Sequence, residues 1–441
     1  DGGNAYAITK DGNGTLILSA ASTYSGDTII SDGTLNVTGT LADTTDVTVA
    51  AGATYDVDQT DTIQSLAGAG TINIASAKTL TFGDANAKTI SGVIEGSGSI
   101  IKQGAGTQTL SGTNTYTGDT TINAGTIKLT GALSSSTDLV IGSSGTLDLQ
   151  ATQTFASLDL DGTISNTAGT SSLTISGTSD LEGSVTTTST QTYTGAVTLT
   201  GTTTLTTSSA QVTFSNTVNS DTGETNNLTV TASETEFNGV VGGTRTLGVM
   251  DINGTLDLNA AITAATSIDV SSTSNLGANV TTTGAQTYND DVTISANVSI
   301  NTSGGNVTFE GDVDTNTTSS SETGIIQFLG DGSYKYSTDS GSTYSTGTAT
   351  GSSTSLGTGS LTYSSGSYSW TTPTGITTTK LLAVGGGGGG GGCTDADADG
   401  WCIEDGDCDD TNPDVYPGHP DKGGRWGRDG LDNDCDGVID G

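Results

Sequence analysis

The residues best equipped for chemistry lie near the C-terminus. The stretch CTDADADGWCIEDGDCDD, from Cys393 to Asp410, holds eight carboxylates in eighteen residues and neither lysine nor arginine. Two unit charges about 4 Å apart repel by roughly 1 kcal/mol in water and by about 4 kcal/mol at an effective dielectric of ~20. A folded loop of this composition therefore needs a cation from outside the chain. Asp395, Asp397 and Asp399, followed by Gly400, spell the D-x-D-x-D-G opening of a calcium loop. Alternate carboxylates converge, the glycine permits a sharp turn, and the carbonyl of Trp401 falls where a backbone ligand is expected. Calcium accepts about six to eight oxygens, which a flexible acidic loop can supply. The twelfth position is Gly406, where an EF-hand needs Glu, and no helical pattern flanks the loop. The shell must instead be closed by Asp405, Asp407, Asp409 or Asp410.

A second loop, DNDCDGVID, repeats the spacing with Asp432, Asp434, Asp436, Gly437 and Asp440. The lone histidine, His419, offers no transition-metal cluster, so the donor chemistry points to a hard ion, calcium. A run of acids is more often a solvated tail. Two D-x-D-x-D-G units, four cysteines and two tryptophans in one short segment argue against that here. Cys393, Cys402, Cys408 and Cys435 are the only cysteines of the chain. An even number in a small acidic module predicts two disulfides and an oxidising, extracytoplasmic location. Three pairings are open, and thiols are the alternative. Trp401 and Trp426 are expected to form the small core of this module.

The whole chain carries a formal charge of −37. Phosphate binding needs lysine and arginine, so neither nucleic acid nor an anionic membrane surface is expected as a partner. A divalent cation, or a neutral or basic sugar surface, fits better. No apolar run approaches the ~18 residues of a membrane span, so no membrane insertion is expected. The opening DGGNAYAITKDGNGTLILS carries no signal peptide and reads as the inside of a repeat, as expected of a processed product.

These loops follow a long region of different texture. Only 31% of the chain is hydrophobic and 5% aromatic, a composition that usually hints at disorder. The apolar residues are nevertheless ordered into short alternating runs: GTLILSA, GTLNVTG, KTLTF, GTIKLTG and GTLDLQA. Alternation with period two, rich in β-branched residues and punctuated by Gly, Asn, Asp and Ser, is the signature of strands and turns. Two families of internal repeat stand out. Gly12–Gly39 aligns with Gly104–Gly131 at an offset of 92, with 15 of 28 positions identical. Ser172–Val218 aligns with Ser267–Val313 at an offset of 95. Strand repeats with few residues able to fill a globular core predict stacking of coil upon coil. The fold class expected is all-β: a parallel β-solenoid, favoured over stacked β-sandwich domains, forming an elongated shaft.

The expected organisation is passenger-type β-helical repeats over 1–171, a second β repeat pair over 172–320, and a Ser/Thr/Tyr-rich β-unit over 321–384. A polyglycine linker follows at 385–392, then the Asp/Cys-rich calcium module at 393–441. The eight glycines could also pack as an extended strand where no side chain fits.

The first repeat resembles the passenger-associated repeat of bacterial autotransporters, whose pattern K-x-G-x-G-T-L-x-L-S-G-x-N-x-Y-x-G-x-T-x-I-x-x-G-x-L is met by Lys102 to Leu129 and more loosely by Lys10 to Val37. The second is similar to segments of very large bacterial surface adhesins. The order DADADG, GDCDDTNPDVYPG, DGLDNDCDG resembles the metal-binding motif of MopE-related bacterial surface proteins and, more loosely, the calcium loops of thrombospondin type 3 repeats. It departs from that motif at HPDKGGRWGRDG. These resemblances imply a β-helical cell-surface protein with calcium as its ion.

Catalysis is not expected. A β-helix can host polysaccharide lyases and hydrolases, but their sites need paired acids or a basic residue in a cleft. The repeats carry a single arginine, Arg245, and acids mostly in turn contexts; with His419 the only histidine, no Ser–His–Asp set can form there. The reading is a non-enzymatic extracellular structural protein, self-assembling head to tail into a calcium-stabilised filament or layer. The alternative is a monomeric adhesin for glycans or matrix.

Overall fold

The computed structural model describes residues 6–314 in full and the backbone of Thr315. Beyond them it describes the strand backbones at Ile325–Phe328, Ser333–Ser337, Ser345–Thr348, Thr354–Leu356, Gly359–Ser364, Ser367–Thr371 and Leu382–Gly385. The described elements are all strands. From Ile8 to Thr315 they wind into a parallel β-solenoid of about 15 turns.

Each alternating run forms one side of a turn. Thr15–Leu18, Thr34–Val37, Thr79–Phe82 and the second half of Thr120–Leu129 are the strands expected from GTLILSA, GTLNVTG, KTLTF and GTIKLTG. Because successive side chains point to opposite faces of a strand, the apolar member of each pair goes inward. Leu35 and Val37, or Leu147 and Leu149, are wholly buried, with Thr34 and Asn36, or Thr146, between solvent and core.

Three sides make a turn. On the first, Ile8–Lys10 pairs with Thr28–Ile30, which pairs with Asp46–Val49, then Ser65–Gly68, and the ladder continues one strand per turn. The second side runs through Thr79–Phe82, Ser99–Lys102, Thr120–Ile122 and Asp138–Ile141. The third begins with Thr15–Leu18, Thr34–Val37, Thr54–Val57, Thr71–Ile74 and Val93–Gly96. It passes through the bridge Thr113↔Ala132 and resumes at Gln153–Phe155 and Leu173–Ile175.

The turns are unequal. Along the first side Ile164 follows Leu147 by 17 residues, and Val230 follows Leu205 by 25. Corner loops absorb the difference, and the inward rows stay in register. One such row reads Ile127, Leu147, Ile164, Val185, Leu205, Val230, Ile252, Val270, Tyr288. Burying each of these side chains contributes about 1.5–3 kcal/mol. The core is thus a narrow column shared between neighbouring turns, which is how a chain poor in large apolar residues buries enough of them. Aromatic rings stack along the same axis. Tyr193, Phe214 and Phe237 lie 5.4 and 4.9 Å apart, centroid to centroid.

The ladder crosses the boundary expected between the two repeat families without a break, since Gln153–Phe155 pairs with Leu173–Ile175. Past residue 315 the described strands include two antiparallel three-stranded sheets, Ile325–Thr348 and Thr354–Thr371. The chain then returns to the solenoid. Leu382–Gly385 pairs in parallel with Val298–Asn301, so Gly385, the first of the eight glycines, closes a strand on the solenoid's edge.

Candidate functional site

The sequence-predicted ligands Asp395, Asp397, Asp399, Trp401, Asp405, Asp407, Asp409, Asp410, Asp432, Asp434, Asp436 and Asp440 all lie outside the described residues. So do Cys393, Cys402, Cys408 and Cys435. The geometry on view is that of the solenoid that carries them, and its most distinctive constructions sit at the corners of the passenger-type repeats.

Lys102 is 1% exposed, and Lys10, its counterpart in the first copy, is 6% exposed. Neither meets a carboxylate. Lys102 Nζ donates to the carbonyl oxygens of Gln103 and Gly104 at 2.7 Å each and of Ala124, one turn on, at 3.2 Å. Lys10 Nζ likewise donates to Asp11 O, Gly12 O and Asp32 O at 3.3, 2.5 and 2.9 Å. Each ammonium ties two stacked turns through backbone oxygens alone. The carbonyls converge because the turns approach closely. Gly125 adopts φ +68°, and a Cβ there would run into the carbonyl of Gly104. Gly33 does the same over Gly12 with φ +64°. Burial holds the Lys102 ammonium below the ordinary lysine range, with Asp84 opposing.

The TYSGDT and TYTGDT segments build the next corner. Tyr24 Oη pairs with Thr28 Oγ1 at 2.7 Å and Tyr116 Oη with Thr120 Oγ1 at 2.5 Å. In the second repeat family the corresponding device is Gln-x-Tyr. Tyr193 Oη donates to Gln191 Oε1 and Tyr288 Oη to Gln286 Oε1, each at 3.2 Å. Gln191 Nε2 in turn donates to Thr206 O at 2.9 Å and Gln286 Nε2 to Asn301 O at 2.7 Å. The alignment of the repeats exposed these lysines, tyrosines and glutamines as matched positions. The contacts that join one turn to the next could not be read, because the lysines and glutamines make them to backbone oxygens: Asp32 O, Ala124 O, Thr206 O and Asn301 O.

The outer surface is polar and acidic. On the third side Glu236, Asp257 and Asn275 occupy consecutive rungs. Their neighbours are amides: Gln211 Nε2 donates to Glu234 at 3.1 Å, and Asn275 Nδ2 to Asp257 at 2.8 Å. Burial raises the Glu234 carboxyl, and Asp257 and Glu236 raise it further. Asp159 on the second side is raised by burial and by Asp161 and Asp180. Among the described residues the ion pair Lys88–Asp46, at 3.5 Å, is the single one, and no group of three or more His, Cys, Asp or Glu is placed to hold a metal. These carboxylate rows repel anions.

An all-β parallel solenoid of stacked strand turns defines a repeat protein. Comparison with known proteins agrees. Residues 8–37 and 100–129 match the passenger-associated-transport-repeat, and residues 407–441 match the MopE family described as "Putative metal-binding motif". A curated relative, the Adhesin BmaC autotransporter of Brucella suis biovar 1 (strain 1330), is 37% identical over 132 residues. That alignment takes in 28% of this chain and 4% of the relative, so the chain spans a small part of the relative's length. No solved structure matches the chain. The chain thus carries autotransporter-adhesin passenger repeats followed by a metal-binding motif, and it is a cell-surface, extracellular protein.

Proposed function

We propose that this chain is a non-enzymatic segment of a surface adhesin, in which the solenoid is a stiff shaft and its outer rows contact glycan or matrix. The observation that carries this reading is the solenoid itself, about 15 turns of continuous parallel ladder with passenger-type corners and an outer surface of hydroxyls, amides and carboxylates. The likeness to an adhesin supports it over a self-assembling filament. In this account the Cys393–Gly441 module binds calcium through Asp395, Asp397, Asp399, the Trp401 carbonyl and one or more of Asp405, Asp407, Asp409 and Asp410, and through Asp432, Asp434, Asp436 and Asp440. All are hard oxygen donors. Calcium would neutralise the cage, so the module would fold where calcium is plentiful, outside the cell. Two disulfides among Cys393, Cys402, Cys408 and Cys435 would lock it.

The test is retention of the purified chain on immobilised neutral glycans and matrix proteins, in calcium and then in chelator. Retention that chelation abolishes supports both parts of the reading. Retention indifferent to chelation keeps the adhesin and removes calcium from its mechanism. Absence of retention in calcium contradicts the adhesin.

A further inference from the structure

The internal repeat extends further in space than its obvious sequence identity. Continuing the offset of 92 beyond Gly39 sets Leu41 against Leu133, Asp46 against Asp138, Ser65 against Ser157 and Asp61 against Gln153. The contacts agree. Ser65 Oγ donates to Asp46 Oδ1 and Ser157 Oγ to Asp138 Oδ1, both at 2.6 Å. Asp61 and Gln153 then perform one task in the two copies. Asp61 Oδ2 accepts from Leu41 N at 2.9 Å, and Gln153 Oε1 accepts from Leu133 N at 3.0 Å, each reaching back 20 residues at the equivalent place in its repeat. Both are buried, at 4% exposure.

The two side chains differ in what else they can do. Gln153 is an amide and also donates, from Nε2 to Leu133 O at 3.0 Å and to Thr154 O at 2.8 Å. A carboxylate can only accept, whereas a protonated carboxyl can donate once. The surroundings of Asp61 disfavour its ionised form. Asp43 adds a like charge, where the second copy has Ser135. Tyr24 and Tyr55 are the other titratable groups set against it, and the Tyr55 hydroxyl is buried with no hydrogen-bond partner. The second copy has Leu147 in place of Tyr55. Lys78, on the neighbouring turn, is turned outward to Gln59 Oε1 at 2.9 Å.

We propose that Asp61 is a proton-operated staple. Protonated, it is a neutral acceptor for Leu41 N–H, as the amide oxygen of Gln153 is for Leu133 N–H; ionised, it sets a charge without a cationic partner in a buried corner and loosens the turns around it. Burial pushes its carboxyl up to about 6 from the ordinary 3.8, against the N–H groups of Leu41 and Thr62 that favour the charge. A folded-state value above the unfolded one means that the folded chain holds the proton more tightly. This contribution to stability is therefore full below about pH 4 and is lost as pH rises through about 6. Over that window the equilibrium for opening this corner rises roughly tenfold per pH unit, then levels off.

The experiment is amide hydrogen exchange on the full chain between pH 4 and 8, with protection corrected for intrinsic rates. Leu133 serves as the reference for Leu41 within the same molecule. Protection at Leu41 should fall relative to Leu133 by at least tenfold between pH 4 and 7. In Asp61→Gln, which copies the other corner, the ratio should stay flat. Equal pH dependence at the two amides in the unaltered chain overturns the proposal, whether or not the variant folds. A ratio that still falls in a folded Asp61→Gln chain overturns it as well.

Discussion

Lys102 is a cation held by amide oxygens, and that choice fixes what it can do. A carboxylate partner would make a pair that water and salt could compete for; three carbonyls from two turns instead hold the turns to each other. Replacing the ammonium by a methyl thioether leaves Gln103 O, Gly104 O and Ala124 O without their donor. Leaving buried acceptors unpaired costs about 1–3 kcal/mol. Lys102→Met should lower the urea midpoint of the solenoid accordingly. Lys78→Met, which removes an exposed lysine bonded to Gln59, should stay within about 0.5 kcal/mol of the unaltered chain. Equal effects of the two substitutions would mean that the cage contributes nothing.

At the scale of the element, strand and turn divide the work. Strands tolerate exchange among β-branched residues, because their contribution is inward apolar area and a shared ladder. Turns do not, where one backbone lies on another. Gly125 and Gly52 both have positive φ, at +68° and +87°, but only Gly125 has a carbonyl where a Cβ would go. Gly125→Ala therefore combines backbone strain with a clash and should cost about 2–4 kcal/mol; Gly52→Ala carries strain alone, about 1 kcal/mol. Chemical denaturation of both variants measures the difference.

The same division explains what could be read in advance. Thr34–Val37 and Thr79–Phe82 were legible as strands because a side-chain period of two survives in any parallel ladder. The length of a turn was not. The offset of 92 carries Ile8–Lys10 on the first side to Ser99–Lys102 on the second, four turns and two further sides later. The offset of 95 likewise carries Gln191–Tyr193 on the third side to Gln286–Tyr288 on the first. The three sides are close enough in geometry that one repeat folds on any of them, so the repeat length conceals the number of turns within it. The cages of Lys10 and Lys102 were hidden for another reason: a side-chain alphabet does not record carbonyl oxygens. Asp61 was hidden because its counterpart is an amide, and identity between the two copies is low around it.

For the whole molecule, a solenoid joins neighbours only, and its ends are where assembly would start. Unpaired strand edges template further strands. Leu382–Gly385 lies on one such edge, against Val298–Asn301, and so competes with any second copy for that side. The proposed adhesin acting as a single chain fits this placement, since a head-to-tail polymer joined through that side would have to displace the strand. Its net charge of −37 also sets copies against one another at low salt. Negative-stain microscopy of the purified chain, in calcium and then in excess chelator, tests this most directly. The account predicts separate particles in both conditions. Regular filaments in calcium that fall apart on chelation would contradict it and make the protein a calcium-dependent polymer.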